Sequence, residues 1–295
     1  MGTSRHHRTR ALLVAGLLTL ATLGLAGCGD DDGDGDGGNA TASPTPSPSP
    51  TTSPTTSPTA GPATSLVYYT VDTRTGFRLA RELRDLAGAD PAVESVEAMI
   101  EGAEDPDYGT TWNPDTRVLG VSRTGRTINV DLSAQARTAN AGSAVAALMI
   151  QQLVWTVTEV LGPEAEVQLL IEGEPAGELW GAVTWDEPVD RANALDVRTL
   201  VQIETPREGA TSTSPLVVSG DANAFEATVP WRVLDAAGKV VKSGTTMTSE
   251  GMVFAPFAFT VQLEPGTYTV EISEDDPSGG EGGTPMTDTR TVTVP

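Results

Sequence analysis

Every residue from Gly29 to Pro62 is Gly, Asp, Asn, Ala, Thr, Ser or Pro. A stretch without one large apolar side chain cannot bury enough surface to offset the entropy of ordering it, so a folded core has to lie after it. The first third holds Asp30, Asp31, Asp32, Asp34 and Asp36 among glycines. From Ser43 onward Ser, Thr and Pro alternate. In a polyproline II conformation the stretch Pro44 to Pro62 would reach roughly 55–60 Å, enough to lift a domain off a membrane. Its Ser and Thr density also permits O-glycosylation. The segment reads as a solvated tether.

The residues before the tether read as an address. Arg5, His6, His7, Arg8 and Arg10 form a basic start, and Ala11 to Ala26 is apolar apart from Thr19 and Thr22. That apolar run is shorter than the span of about 20 residues needed to cross a bilayer. It ends Leu25-Ala26-Gly27-Cys28, which resembles the bacterial lipobox. The resemblance implies diacylglycerol attached to Cys28 through a thioether, with cleavage before it. Residues 1–27 are then a lipoprotein signal peptide, and 28–65 are the lipidated Cys and tether. The expected location is the extracytoplasmic face of the cell membrane.

Cleavage there would remove both histidines, and Cys28 is the single cysteine of the chain. A chain without His cannot run a Ser-His-Asp or Cys-His nucleophile, nor build a zinc site from His and Cys. One cysteine forms no internal disulfide. The formal charge of −22 repels phosphate backbones and excludes nucleic acid as a partner. Carboxylate chemistry, calcium binding or no chemistry remain.

The character of the chain changes at Leu66. Leu66 to Val71 has strand propensity, residues 72–76 are turn-like, and Phe77, Leu79 and Leu83 alternate with Arg78, Ala80 and Glu82, predicting a hairpin. Asp90-Pro91 is a helix N-cap followed by Pro at the first helical position. Val93, Val96 and Ile100 then share one helical face, and Gly102 ends it. Strands are predicted at 116–121 and 127–132 around Gly125. The longest helix, 143–161, carries Ala146, Met149, Ile150, Leu153, Val154 and Val157 at spacings of 3 and 4. Gln151, Gln152, Thr156 and Glu159 interrupt it as a membrane span. Gly162-Pro163 stops it, and 167–171 is a last strand. The order is β-β-α-β-β-α-β. Six fragments in this order resemble the GerMN domain of sporulation and spore-germination lipoproteins. They are Val67-Tyr68-Tyr69, Leu79-Ala80-Arg81-Glu82, Asp115-Thr116-Arg117-Val118-Leu119, Val130-Asp131-Leu132-Ser133, Gln151-Gln152-Leu153-Val154-Trp155-Thr156 and Leu170-Ile171-Glu172-Gly173-Glu174-Pro175. The resemblance implies a compact non-enzymatic α+β domain over 66–191, akin to ring-building modules of secretion systems. It also implies actinobacterial lipoprotein relatives, some of which partner sensor kinases.

Residues 192–197 read as a linker, and the chain beyond them is strand and turn. Phe225, Ala227, Val229, Trp231 and Val233 are expected on one strand face, with Trp231 as the core tryptophan. Pro230 points to an edge or bulge. Phe257, Phe259, Val261 and Leu263 alternate, as do Tyr268, Val270 and Ile272. About seven short strands predict a β-sandwich. Ser219-Gly220, Phe225-Glu226, Trp231, Gly238-Lys239-Val240-Val241, Pro256-Phe257 and Pro265-Gly266-Thr267-Tyr268 resemble the immunoglobulin-like Gmad domain, assigned to 198–295. Each part is expected to fold alone, and the chain in isolation to be a monomer.

Candidate sites are few. Asp32 to Gly37 matches the first half of an EF-hand loop, but the twelfth position is Ser43, where a bidentate carboxylate is required. Glu101, Glu104, Asp105 and Asp107, and Glu274, Asp275, Asp276 and Glu281, could offer calcium oxygens but read as solvated loops. Trp112, Trp180 and Trp185 could stack sugars, although core or rim positions suit them better. Lys239 and Lys242 read as solvent-facing. The expectation is a lipid-anchored envelope protein with a structural or protein-interaction role, no catalysis, no cofactor and no metal. Cys28 is its one modified residue. The alternatives are a wall-glycan (peptidoglycan) binder and a regulator of a membrane sensor or transport complex.

Overall fold

The computed structural model describes residues 63–139, 141–276, 281 and 283–295. The signal segment, Cys28 and the tether through Pro62 lie outside the described residues.

The first part opens with a hairpin, β1 (Ala63–Thr73) and β2 (Gly76–Leu86), paired along all of both strands from Ala63↔Leu86 to Thr73↔Gly76. β1 therefore starts three residues before the apolar run at Leu66. Helix α1 (Pro91–Glu101) is capped as its sequence predicts. The Asp90 carboxylate accepts from the Ala92 and Val93 N–H groups, and Gly102 ends the helix at a φ of 111° that favours glycine. β3 (Val118–Thr124) and β4 (Thr127–Leu132) form the second hairpin, and α2 (Ser143–Leu161) crosses over to β5 (Glu166–Ile171), which pairs parallel with β4. β6 (Glu174–Pro175) completes the sheet order β3-β4-β5-β6, and β7 (Gly177–Leu179) pairs with β8 (Val183–Trp185) beside it. The predicted β-β-α-β-β-α-β order holds through β5.

The core lies between this sheet, the first hairpin and the helices. Val67, Tyr69, Val96, Met99, Ile128, Val130, Leu153, Val157, Val167 and Leu169 pack together there. Tyr68, on the other face of β1, packs instead with Leu79, Leu148 and Trp155. By length and composition α2 is apolar enough to cross a membrane, yet it serves here as a core helix. Its polar residues have a use. Gln152 donates to the Tyr68 carbonyl at 3.0 Å, and the Tyr68 N–H donates to the Thr156 hydroxyl at 3.1 Å. The helix thus satisfies backbone groups on the edge of β1 that no strand covers.

One alternation differs from expectation. On β2, Phe77 is exposed while Leu79, Ala80, Arg81 and Glu82 are all buried. One face of β2 meets the first core, and Arg81 on this strand bonds Glu204 and Asp221 of the second part. A strand covered on both sides loses the in-out pattern of a half-solvated one.

A single-turn helix α3 (Ala194–Val197), capped by Asn193, occupies the expected linker. The second part is a sandwich. β9 (Val201–Thr205), β10 (Ala210–Thr211), β11 (Leu216–Asn223), β12 (Thr228–Asp235), β13 (Val240–Met247), β14 (Phe254–Val261), β15 (Gly266–Ser273) and β16 (Thr287–Val294) form two sheets, ordered β10-β16-β15-β12-β13 and β14-β11-β9. Val201, Ile203, Leu216, Val218, Val229, Val233, Phe257, Val270, Ile272 and Val292 fill the space between them.

Two expectations need correction. Phe225–Ala227 is a tight 3₁₀ turn with left-handed backbone at Glu226 and Ala227, so Phe225 leaves the strand face and is exposed. Trp231 is only partly buried, stacked on Phe259 with ring centroids 4.7 Å apart. It has room because Gly244 lies across from it, where a Cβ would meet the indole at 2.6 Å. Pro230 pairs with Thr245 on one side, while pairing of β12 with β15 begins only at Trp231, so the missing N–H disturbs no ladder there.

Candidate functional site

The most unusual chemistry lies where the two parts meet. On β16 the inward positions are Asp288, Arg290, Val292 and Val294. The two valines enter the sandwich core. The charged pair, at the other end, meets the loop after α1. The Arg290 guanidinium donates to Asp105 at 2.6 Å, to Asp288 at 3.1 Å, to the Tyr108 hydroxyl at 3.0 Å and to the Ile203 carbonyl at 2.8 Å. Tyr108 donates in turn to Asp288 at 2.5 Å and accepts from Gln202 at 3.2 Å. The other Asp288 oxygen accepts the Ile203 N–H, and the other Asp105 oxygen accepts the Asp107 N–H. Asp105, Asp288 and Arg290 are each at most 5% exposed, so water offers them little.

A second node lies beside the first. Asp221 on β11 accepts from both Arg81 (2.9 Å) and Arg198 (2.8 Å), and Arg81 also bonds Glu204. Gln202 donates to the Arg81 carbonyl at 2.7 Å. Arg198 stacks on Phe254 at 4.2 Å and lies 5.8 Å from the Trp155 ring centroid, linking α2 to the sandwich. At the rim Arg207 and Asp85 form a two-pronged pair at 2.7 Å, and Arg74 bonds Glu274.

The first node sets one guanidinium against two carboxylates. Burial pushes the Asp105 carboxyl up to about 7, with the Asp288 and Asp107 charges adding to this and Arg290 opposing it. Burial raises Asp288 as well. Burial opposes the charge on Arg290, but Asp288, Tyr108 and Asp105 together hold it firmly protonated. Hydrogen bonds from Arg207 hold Asp85 down to about 2, well clear of that range. Both histidines, His6 and His7, lie outside the described residues. Asp105 is thus the described group placed to titrate between pH 5 and 8.

Linkage fixes the sign of the effect on stability. The folded protein keeps a proton on Asp105 that the unfolded chain has already shed between about pH 4 and pH 7. Stability therefore falls as pH rises through that window and levels off above it. The expected loss from pH 5 to pH 8 is on the order of 1–3 kcal/mol. Urea denaturation of Ser57–Pro295 should show it, and Asp105→Asn should flatten most of the slope. An equally steep slope in the variant would place the titration elsewhere.

The residues singled out in the sequence end up in different places. Asp105 is buried in the joint, and Asp107 accepts from the Thr289 hydroxyl at 2.8 Å. Glu101 and Glu104 are exposed beside Arg84, Glu274 is paired with Arg74, and Glu281 is exposed. Asp275 and Asp276 are half-buried. Among the described residues no three His, Cys, Asp or Glu side chains are grouped to hold a metal ion. Trp112 and Trp185 are buried, and Trp180 is half-buried with its indole N–H on the Ala136 carbonyl, so the three do not form an open stacking surface for sugars. Lys239 and Lys242 are exposed. Cys28 lies outside the described residues. Local sequence pattern does not single out Tyr108, Asp221, Asp288 or Arg290. The available signal is the parity of β16, which puts Asp288 and Arg290 in step with Val292 and Val294.

With this geometry in hand, the comparisons with known proteins define the class. Residues 65–177 match the family described as sporulation and spore germination, and residues 200–281 match the one described as the immunoglobulin-like domain of bacterial spore germination. The chain therefore joins a GerMN domain to a Gmad-like immunoglobulin domain. Both descriptions concern germination, and neither describes an enzyme. Solved structures include the tandem GerMN domains of the sporulation protein GerM from Bacillus subtilis, at 15% identity over 45% of this chain and 45% of that one, TM-score 0.36. This chain thus spans less than half of that structure. The first GerMN domain of the same protein matches at 17% identity over 43% of this chain and 98% of that one, TM-score 0.34. A putative lipoprotein from Clostridium perfringens matches at 14% identity over 47% and 93%, TM-score 0.32. No curated protein matches the chain.

Proposed function

We propose that the chain is a lipid-anchored envelope protein that holds its joined domains clear of the membrane for contact with another protein. The observation that carries this reading is the joint. Groups with strongly shifted pKa values often mark catalytic sites. Here Asp105, Asp288, Tyr108 and Arg290 are spent on one another across the boundary between domains. Their work is to lock two domains into one surface. A scaffold that presents a fixed composite surface fits that arrangement.

The anchor is tested at Cys28. Wild type should partition into the detergent phase, and Cys28→Ala should move to the aqueous phase or remain uncleaved with its apolar leader. Wild type in the aqueous phase would refute the lipid anchor. The interaction role is tested by crosslinking in intact cells, where a defined adduct is expected. Retention on insoluble peptidoglycan without any protein adduct would favour a glycan-binding role instead.

A further inference from the structure

One corner of the sandwich exposes four large apolar side chains, three on two interlocked loops and one, Met247, at the end of β13. The turn Phe225–Ala227 joins β11 to β12, and residues 248–253 join β13 to β14. Their backbones are bonded together, with the Met252 N–H donating to the Ala224 carbonyl and the Thr248 N–H to the Ala227 carbonyl, each at 2.9 Å. The loops approach so closely that a Cβ on Gly251 would lie 2.9 Å from the Ala227 nitrogen. On this corner Phe225 is 43% exposed, Met247 65%, Met252 64% and Val253 42%.

Left-handed backbone holds the arrangement. Glu226, Ala227 and Met252 have φ of 48°, 62° and 63°, a region that strains residues other than glycine. The fold thus maintains strained backbone in the loops that carry apolar side chains into water. Single exposed apolar residues are ordinary, but a group of them marks an interaction surface. The charge at this corner is of one sign. Glu226 and Glu250 are exposed in the same two loops, neither loop contains Lys or Arg, and neither glutamate has an ion-pair partner among the described residues.

We propose that this corner docks a protein partner whose contact surface is apolar at its centre and basic at its edge. A second copy of the chain docking through the same corner would bring Glu226 and Glu250 against like charges, and an anionic membrane surface would repel them in the same way. The inference rests on the protein-interaction reading above and assigns it a surface.

The probe is an amphipathic Leu/Lys peptide, with a Leu/Glu peptide of the same length as the charge control. Ser57–Pro295, a compact unit of its own, is titrated with each by fluorescence anisotropy at physiological salt. The Leu/Lys peptide should bind at least about tenfold more tightly, and Phe225→Ser with Met252→Ser should weaken it at least about tenfold at unchanged melting temperature. Met247→Gln, which leaves both strained loops intact, should weaken it in the same direction. Glu226→Gln with Glu250→Gln should narrow the preference between peptides. Binding that is indifferent to the apolar variants overturns the proposal, as does a preference for Leu/Glu. Self-association, or binding to anionic phospholipid vesicles, that the same variants abolish also overturns it. If the corner fails while crosslinking in cells still gives a defined adduct, the interaction reading stands and its surface lies elsewhere.

Discussion

Arg290→Met should destabilise Ser57–Pro295 by about 3–5 kcal/mol, because it leaves two buried carboxylates facing each other without their cation. Asp105 and Asp288 both lose a donor, and Tyr108 loses one as well. For a unit of this size the loss corresponds to a fall in Tm of roughly 6–20 °C. Urea denaturation at pH 7.5 measures it. Adding Asp105→Asn to Arg290→Met should recover part of the stability, since Asp105 no longer has to take up a proton or carry a charge beside Asp288. A loss below about 1 kcal/mol would mean that water reaches this node in solution.

Gly220→Ala should be as damaging for a different reason. A Cβ at Gly220 would lie 1.9 Å from the Gln202 carbonyl oxygen and 2.9 Å from its carbon. Both are backbone atoms of β9, at the point where the β9–β11 register shifts between Ser219 and Gly220. Backbone cannot swing aside as a flexible side chain can, so the strands must part, at a cost of about 3 kcal/mol or more. The damage should travel. Gln202 also bonds the Arg81 carbonyl and Tyr108, so moving β9 loosens both nodes of the joint. Thermal melts and near-ultraviolet circular dichroism of the tyrosines should both change. A variant melting within about 2 °C of wild type would show that the bulge has slack.

Arg290 and Gly220 are both residues that local pattern reading passes over. α1 is legible because its Asp90 cap, Gly102 stop and apolar spacing lie within a few residues of one another, and α2 because its apolar spacing runs up to the Gly162-Pro163 stop. The β3–β4 hairpin is legible for the same reason, with Ile128, Val130 and Leu132 buried in alternation. The joint is not, since Arg290 meets a partner 185 residues away. Asp105 reads as one more acid in an acidic loop until its partner is known. Expecting each domain to fold alone follows from their separate apolar sets, but those sets say nothing of the polar groups between them. Cutting there would expose Asp288, Arg290 and Asp221 without the first domain's partners. Phe225 escapes the alternation that holds from Val229 to Val233, because left-handed backbone at Glu226 and Ala227 breaks the strand parity.

The capping of β1 by α2 has a mechanical consequence. Load arriving from upstream enters the described fold at Ala63, the first residue of β1. A pull along the strand axis meets eleven paired residues of β2 and the Gln152 and Thr156 bonds to Tyr68 together. Bonds stretched in parallel share the force, whereas bonds peeled from one end fail in turn. The entry point of the chain is thus suited to bearing shear.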